Sequence, residues 1–390
     1  MYNILTLNNI SEAGLSQLDP AKYTVSANVA EPDAILVRSA KMHDMEFAPN
    51  TLAIARAGAG TNNVPVDRCA EEGIVVFNTP GANSNAVKEL VLCALFLTSR
   101  KIIPGIEFAN SLKGKGDECG KLVEKGKSAF AGPEIKGKKL GVIGLGAIGV
   151  KVANSARNLG MEVYGYDPYL SVDAAWNLSS HIRHASSLDD IFTECDYITV
   201  HVPLTDDTKD TINKEAFAKM KDGVRILNFS RDGLVNAADM IEALESGKVA
   251  AYATDFAVDE LLGVPGVITM PHLGASTPES EDNCARMAAY ELVEYLENGN
   301  IKNSVNMPNA EMARVCKNRL CVIHKNVPNV LRGITSQFVD SNINDFMNRS
   351  KGDISYTILE VDGDISEQMI TDIEAIEGVI RVRVIRGGTR

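Results

Sequence analysis

The chain has no apolar run long enough to cross a bilayer. Its longest uninterrupted apolar stretch is Leu90 to Leu97, whereas a membrane-spanning helix needs about 20 such residues. The N-terminal sequence MYNILTLNNI also lacks the basic start and the small-residue cleavage site of a secretory signal. We therefore expect a cytoplasmic protein that does not interact with a membrane.

Paired cysteines and an excess of basic charge are missing as well. The seven cysteines are scattered singly, without CxxC spacing, so we expect neither a disulfide framework nor a metal site. Lys and Arg number 39 against 51 Asp and Glu, a formal net charge of -12. Nucleic-acid binding requires basic surface, so we expect no nucleic-acid partner. An anionic substrate would need a local cationic pocket.

A glycine-spaced turn is the most informative feature that is present. Leu140 to Asp167 reads LGVIGLGAIGVKVANSARNLGMEVYGYD, which predicts a strand, a turn, a helix and a second strand ending on an acid. This is the layout of a dinucleotide-binding βαβ unit, in which the glycines permit the tight turn, the approach of a pyrophosphate and close packing of the helix. Asp167 can accept hydrogen bonds from ribose hydroxyls, and its charge would repel a 2′-phosphate. We therefore predict that the cofactor is NAD.

Short strand-like runs alternate with helical segments over most of the 390 residues, a length that suggests two or three domains. We predict an α/β fold in which a flavodoxin-like, discontinuous substrate domain comprises residues 1–100 and 285–310. A doubly wound parallel-sheet NAD domain is expected over 101–284. The βαββαβ pattern of residues 316–390 predicts a small ferredoxin-like module.

Two predicted helices are candidates for contacts between domains or subunits. Asn85 to Ser99 is almost continuously apolar, which is typical of a helix buried on several sides. A second helix is predicted from about Pro278 to Asn298. Between them, Lys113 to Lys139 is lysine-rich and punctuated by glycine, and we expect a loop there. Pairing through the two helices would give a homodimer.

Three polar side chains follow predicted strands beyond the glycine turn: Arg231, Glu260 and His272. Ligands of open parallel sheets bind outside the carboxyl ends of the strands. Histidine suits a hydroxyl-proton acceptor because its ordinary pKa of about 6.5 lies near operating pH. A carboxylate can stabilise the imidazolium, and an arginine can bind a substrate carboxylate through two hydrogen bonds. Together they predict oxidation of an α-hydroxy acid.

Six motifs carry a resemblance that covers nearly the whole chain. They are RAGAGTNNV (56–64), VIGLGAIG (142–149), GYDP (165–168), HVPL (201–204), NFSRDGLV (228–235) and PHLGAST (271–277). In these motifs the chain resembles the D-2-hydroxyacid dehydrogenase family. The similarity is to the members that oxidise 3-phosphoglycerate to 3-phosphohydroxypyruvate with NAD, the first step of the phosphorylated serine pathway.

The resemblance implies roles for particular residues. Arg231, Glu260 and His272 would be catalytic, with His272 as the acid/base. The implied NAD residues are Gly144, Gly146, Ala147, Ile148, Gly149, Asp167, Val202, Pro203, Phe229, Ser230, Asp255 and Gly274. The implied substrate residues are Arg38, which would bind the phosphate, together with Ser39, Gly58, Asn62, Asn63, Arg231 and His272. Lys41, or Lys127 from a partner, would be an additional cation.

The C-terminal module is similar to an ACT domain, a regulatory unit that binds amino acids at subunit interfaces. His324, Asn326 and Asn342 match positions that bind L-serine in feedback-inhibited relatives. Pairing of such modules would raise a homodimer to a homotetramer. The alternative is a dimerisation module without a ligand.

Two other functions remain open on the sequence. One is a hydroxypyruvate or glyoxylate reductase, or another D-2-hydroxyacid dehydrogenase, which would need no phosphate site. The other is an NAD-sensing binding protein similar to co-repressors of this fold. Departures from the family pattern, such as Asp232 beside Arg231 and Leu261 where proline is usual, bear on substrate choice more than on reaction type.

Overall fold

A computed structural model describes residues 1–387 and divides the chain into two compact units. The first unit combines residues 1–83 with the segment that begins at 278, and the second comprises residues 84–277. These limits differ from the expected ones, which placed the boundaries after residues 100 and 284. No helix within the described range is long and apolar enough to cross a bilayer.

The first unit begins with a five-stranded parallel sheet. Its elements are β1 (Tyr2–Leu7), α1 (Glu12–Leu15), β2 (Tyr23–Ser26), β3 (Ala34–Val37), β4 (Ala53–Arg56), α2 (Val66–Glu71) and β5 (Val75–Phe77). The strand order β2-β1-β3-β4-β5 is the flavodoxin-like order, which confirms the predicted fold. Strand β2 was not predicted, because it is short, lies at the sheet edge and buries only Tyr23 fully.

The second unit is a seven-stranded parallel sheet flanked by helices. Its elements are α3 (Ser84–Ser99), α4 (Ile102–Ser111), α5 (Cys119–Gly126), β6 (Lys139–Ile143), α6 (Ala147–Asn158), β7 (Glu162–Tyr166), α7 (Val172–Asn177), β8 (Arg183–His184), α8 (Leu188–Glu194), β9 (Tyr197–Val200), α9 (Lys214–Lys219), β10 (Val224–Asn228), α10 (Ala237–Glu245), β11 (Val249–Thr254) and β12 (Val267–Thr269). The strand order is β8-β7-β6-β9-β10-β11-β12. The order reverses between β6 and β9, as in doubly wound dinucleotide-binding folds, so the predicted NAD-domain architecture is confirmed.

Helix α3 packs on this second sheet instead of closing the first unit. Its buried side chains, including Val91 and Leu95, share a core with Leu140 and Val142 of β6. At its end, the Ser99 hydroxyl lies 2.7 Å from the phenolic oxygen of Tyr197 in β9. Long-range packing of this kind leaves no mark on the local apolar pattern, which is why the boundary was placed too late.

The lysine-rich segment is more ordered than the loop that the sequence suggested. It contains α5 and two short 3-10 turns, Gly116–Glu118 and Lys127–Phe130. Phe130 packs against Phe108 of α4 with ring centroids 5.2 Å apart. This aromatic pair packs the segment against α4 and supplies the apolar contact that lysine and glycine do not.

The remainder of the first unit starts with one long helix and ends in a second sheet. Its elements are α11 (Pro278–Asn298), β13 (Asn318–Lys325), α12 (Val330–Ser336), β14 (Ile343–Lys351), β15 (Ile354–Val361), α13 (Glu367–Glu374) and β16 (Val379–Arg386). The four strands are antiparallel in the order β14-β15-β13-β16. This βαββαβ topology confirms the predicted ferredoxin-like module.

The central strands β13 and β15 of the module are buried on both faces within the first unit. Leu320 and Val322 face α12 and α13, whereas Cys321, Ile323 and Tyr356 join the core that α11 shares with the first sheet. Because successive strand residues point to opposite faces, β13 links two separate cores. The module is therefore packed into this unit instead of standing apart as a third one.

Candidate active site

The glycine turn between β6 and α6 has the geometry that the sequence implied. Gly144 has φ +89°, and a Cβ there would lie 2.6 Å from the His201 carbonyl oxygen. A Cβ at Gly149 would lie 1.9 Å from the Gly144 carbonyl oxygen, whereas one at Gly146 would have no atom within 4 Å. The first and third glycines thus permit tight backbone packing. The second leaves open space at the start of the helix.

Helix α6 presents its N-terminus to that open space. Gly146 is its N-cap, and no side chain caps the helix, so the first N–H groups of Ala147, Ile148 and Gly149 are available to an anion. This arrangement fits the pyrophosphate of a dinucleotide.

Asp167, at the end of β7, supports the same turn. One carboxylate oxygen accepts from the Leu145 N–H at 2.8 Å, and the other accepts from the Tyr169 N–H at 2.8 Å. Each oxygen retains capacity for a further hydrogen bond, so the carboxylate can also accept from ribose hydroxyls. The contact with Leu145 gives Asp167 a second role, in fixing the turn, that the motif alone did not indicate.

His201 lies directly behind the glycine turn. Its ring Nε2 is 3.0 Å from the Thr199 hydroxyl, and burial lowers its pKa to about 4. The imidazole therefore stays neutral near pH 7. It contributes packing and hydrogen bonding at the β6–β9 switch point rather than charge.

Asp255, at the carboxyl end of β11, supplies a buried acceptor. Only 2% of the residue is exposed, and one carboxylate oxygen accepts from the Gly274 N–H at 3.1 Å. The other oxygen is buried and has no hydrogen-bond partner among residues 1–387. Burial raises the pKa of this carboxyl, while the nearby His272 opposes that shift. An unpaired buried acceptor is costly, so it fits a cofactor group that donates hydrogen bonds, such as the nicotinamide carboxamide.

The other predicted NAD residues lie in loops that follow neighbouring strands. The Ser230 hydroxyl donates to the Val202 carbonyl at 2.6 Å, which ties the loop after β10 to the loop after β9. Pro203 is exposed beside Val202, and Phe229 is buried beside Ser230. These loops leave the same edge of the sheet as the glycine turn, because parallel strands all end there.

The three predicted catalytic residues also follow adjacent strands. Asn228, Thr254 and Thr269 are paired across β10, β11 and β12, and Arg231, Glu260 and His272 come in the loops immediately after them. All three side chains are exposed. The topology thus brings their loops to one edge of the sheet.

His272 and Glu260 are not hydrogen-bonded to each other within the described range. The imidazole instead packs edge-on against Phe256, with centroids 5.1 Å apart, and Glu260 lies in the 3-10 turn Asp259–Leu261. Catalytic hydrogen bonds are often absent before substrate binds, so the carboxylate role of Glu260 stays a prediction. Phe256, which orients the ring, was missed by sequence reasoning because one aromatic residue in a loop carries no signal.

The carboxylate of Asp232, the residue after Arg231, is hydrogen-bonded within its own loop. It accepts from the Gly233 N–H at 2.9 Å, and Arg231 donates to the Ser230 carbonyl at 2.6 Å. In the described part of the chain, Arg231 and Asp232 thus bond to backbone groups of their own loop and form no ion pair with each other. The guanidinium is therefore accessible to a substrate carboxylate.

The predicted substrate residues of the first unit lie after β3 and β4. Ser39 and Ala40 donate their N–H groups to the Asn8 side chain at 2.9 and 2.8 Å. Asn63 is buried and donates from its amide to the Ala40 carbonyl at 2.8 Å, while its side-chain oxygen has no partner within the range that the structure describes. These contacts join the two loops of the first unit.

Gly58 and Arg38 lie at the edges of these loops. Gly58 has φ +151°, and a Cβ there would lie 1.9 Å from Nη1 of Arg56. Arg56 in turn donates to the Arg38 carbonyl at 3.0 Å. Asn62 is exposed beside the buried Asn63. The Arg38 side chain is half-buried and paired with Glu281 of α11 at 2.5 Å, a partner that sequence reasoning missed.

The three predicted serine-binding residues are not brought together within one chain. His324 is buried, with its ring nitrogens 2.8 Å from the Lys325 carbonyl and 2.9 Å from the Thr357 hydroxyl, and burial lowers its pKa. Asn326 follows at the same end of β13. His324 pairs with Ser355, whereas Asn342 lies next to the opposite end of β15, at Val361.

The doubly wound fold of the second unit and the loops that follow its strands are those of an NAD-dependent dehydrogenase. The NAD-binding domain of D-isomer specific 2-hydroxyacid dehydrogenases matches residues 106–274 of this chain. The chain belongs to the D-isomer specific 2-hydroxyacid dehydrogenase family, which confirms the resemblance and the predicted cofactor.

Several relatives within the family are D-3-phosphoglycerate dehydrogenases. A D-3-phosphoglycerate dehydrogenase of Haemophilus influenzae is 31% identical over 87% of this chain and 83% of its own length. One from Bacillus subtilis is 34% identical over 79% of this chain, but the match spans only 59% of that protein. The crystal structure of NAD+-bound 3-phosphoglycerate dehydrogenase of Entamoeba histolytica superimposes with a TM-score of 0.60 at 26% identity, covering 78% of this chain and 98% of that one.

Proposed function

We propose that the chain oxidises 3-phospho-D-glycerate to 3-phosphohydroxypyruvate with NAD, the first step of phosphorylated L-serine biosynthesis. The observation that carries the proposal is the placement of Arg231 after β10 and of His272 after β12, the strands on either side of β11 in the sheet that also holds the dinucleotide-type glycine turn. The similarity to D-3-phosphoglycerate dehydrogenases supports the choice of substrate.

The proposed chemistry divides among the residues of the second unit. Arg231 binds the substrate carboxylate through two hydrogen bonds and so orients the hydroxyl-bearing carbon. His272 accepts the hydroxyl proton, and the Glu260 carboxylate stabilises the resulting imidazolium. Bound NAD would supply the acceptor for the hydride that leaves the same carbon. Asp167, Asp255, Gly146 and the first turn of α6 hold the dinucleotide.

Arg38 is the proposed ligand of the phosphate, with Ser39, Gly58, Asn62 and Asn63 as further substrate residues. Asn63 has an unpartnered side-chain oxygen, and Arg38 is accessible to solvent. Both observations support a polar ligand at these loops of the first unit.

A second candidate function is reduction of hydroxypyruvate or glyoxylate. The Arg38–Glu281 ion pair favours it, because a carboxylate on the predicted phosphate ligand works against a phosphorylated substrate. An NAD-sensing binding protein without turnover is the third candidate.

Steady-state assays separate these functions. We expect turnover of 3-phosphoglycerate with NAD to exceed that of D-glycerate, and His272→Gln to lower kcat by about 10²- to 10⁴-fold, the usual contribution of a general base. Higher efficiency with hydroxypyruvate and NADH than with phosphohydroxypyruvate would favour the reductase. The acid/base role of His272 would be wrong if the variant stayed within a few-fold of the wild type.

The regulation, assembly and location of the enzyme form a second part of the proposal. We propose that the C-terminal module is ACT-like and binds L-serine across two copies of the chain. We also propose that the protein is a homodimer or homotetramer and that it is cytoplasmic. The separation of His324 and Asn342 within one chain supports a site completed by a second copy. All seven cysteines are free, which agrees with a reducing compartment.

A further inference from the structure

The predicted phosphate ligand already has an anionic partner. Nη2 of Arg38 lies 2.5 Å from Oε1 of Glu281. Arg38 follows β3 and Glu281 lies in the first turn of α11, so the pair joins two elements of the first unit. Each side chain is 43% exposed, so solvent and small ions reach both.

Glu281 is not committed to another cation in the described part of the chain. The neighbouring Asp282 accepts from the Ser11 hydroxyl and lies 3.8 Å from Arg286, and Glu279 has no ion pair among residues 1–387. Of the acids at the start of α11, Glu281 is thus the one directed at Arg38.

The physical consequence depends on the charge of the substrate. A phosphate monoester near neutral pH carries a charge between about −1.5 and −2 and would compete with the carboxylate for the same guanidinium. Exposed ion pairs are weak, so the phosphate can displace the carboxylate. The displaced carboxylate nevertheless remains near the bound phosphate and repels it. A substrate without a phosphate neither competes with Glu281 for Arg38 nor is repelled by the Glu281 carboxylate at this position.

We propose that Glu281 is a specificity-determining residue that lowers the preference for phosphorylated over unphosphorylated hydroxy acids by occupying Arg38. The inference rests on the proposed function, in which Arg38 binds the substrate phosphate. Its effect falls on KM for the phosphorylated substrate, because the competition precedes the chemical step.

The test is Glu281→Gln, which removes the charge but keeps an oxygen that can accept from Arg38. We expect kcat/KM for 3-phosphoglycerate to rise about three- to tenfold, mainly through KM, and kcat/KM for D-glycerate to change less than twofold. Inorganic phosphate, tested as a competitive inhibitor, should bind more tightly to the variant. Glu279→Gln is the matched control, with the same charge change on the same helical turn and an expected effect below twofold.

Two further measurements show whether the effect passes through Arg38. In an Arg38→Ala background, Glu281→Gln should not raise kcat/KM for 3-phosphoglycerate, because the effects of substitutions at contacting residues are not additive. The advantage of the single variant should also shrink as salt rises, because exposed charges are screened.

The outcomes separate this inference from the proposed function. A wild-type enzyme without 3-phosphoglycerate turnover would remove both. A wild type that turns over this substrate, with Glu281→Gln unchanged or poorer, would retain the function and overturn the role of Glu281. A poorer variant would mean that the carboxylate orients Arg38 for phosphate. An equal gain from Glu279→Gln would mean that only general charge is involved.

Discussion

At the residue scale, the β6–α6 turn shows that glycines in one motif can be required for different reasons. Gly149 is required by the protein itself, because a side chain there would collide with the Gly144 carbonyl. Gly146 has an ordinary backbone conformation, with φ −74°, and open space above it. We propose that a side chain at Gly146 would obstruct the dinucleotide.

Alanine at the two positions should separate folding from cofactor binding. We expect Gly149→Ala to lower the free energy of unfolding by about 1–3 kcal/mol or more, the usual cost of overpacking. Gly146→Ala should change it by less than about 1 kcal/mol and weaken NAD binding at least tenfold. Thermal unfolding and titration calorimetry measure the two quantities. Normal NAD affinity in Gly146→Ala would contradict the assigned position of the pyrophosphate.

At the element scale, a buried ion pair joins β13 to β15 of the C-terminal module, and the arginine of this pair also donates to the end of α11. Arg319 and Glu360 are both fully buried and lie 2.7 Å apart. Arg319 also donates to the carbonyls of Asn298 and Met312 at 2.7 and 3.0 Å, while Glu360 accepts from the Cys316 N–H at 3.0 Å. Arg319 and Glu360 thus provide hydrogen-bond partners for backbone groups at the end of α11 and in the segment that leads into β13.

Removal of one partner should be costly. Arg319→Met leaves the Glu360 carboxylate buried without its cation, and breaking a buried pair in this way costs about 3–5 kcal/mol. Chemical denaturation measures the loss. Arg386→Met is the matched control, because its ion pair with Glu367 is exposed, with side chains 53% and 84% accessible, and should cost less than about 1 kcal/mol. Similar losses in both variants would mean that Arg319 contributes only packing.

At the scale of the whole molecule, the position of the module limits how it can act. At the central strands β13 and β15, one face of its sheet is covered by α12 and α13 and the other joins the core of the first unit, whereas the edge strand β14 is largely exposed. The predicted effector residues lie at opposite ends of the sheet. A serine site that uses all of them therefore requires two chains.

Serine binding should consequently depend on association. We expect millimolar L-serine to raise the unfolding temperature and to inhibit turnover of the oligomer, since a ligand that binds only the native state stabilises it by an amount that grows with the logarithm of its concentration above Kd. Asn342→Ala should remove both effects, whereas Asn110→Ala, an exposed change in the other unit, should preserve them. Absence of heat and of any thermal shift with wild-type protein would exclude the effector role.

The sequence alone determined the features that repeat at short range. Alternating strands and helices, the glycine turn with Asp167, the βαββαβ order and the loops bearing Arg231 and His272 could all be predicted, because backbone geometry and apolar periodicity act over a few residues. The family resemblance then assigned chemistry to these positions.

Only the tertiary structure decided which distant groups meet. It assigned α3 to the second unit, packed Phe256 on His272, buried Arg319 against Glu360 and paired Arg38 with Glu281. Such contacts depend on the packing of whole elements and on competition among several possible partners for one charge. A local pattern contains the donor and the acceptor, but it does not state which of them will be neighbours.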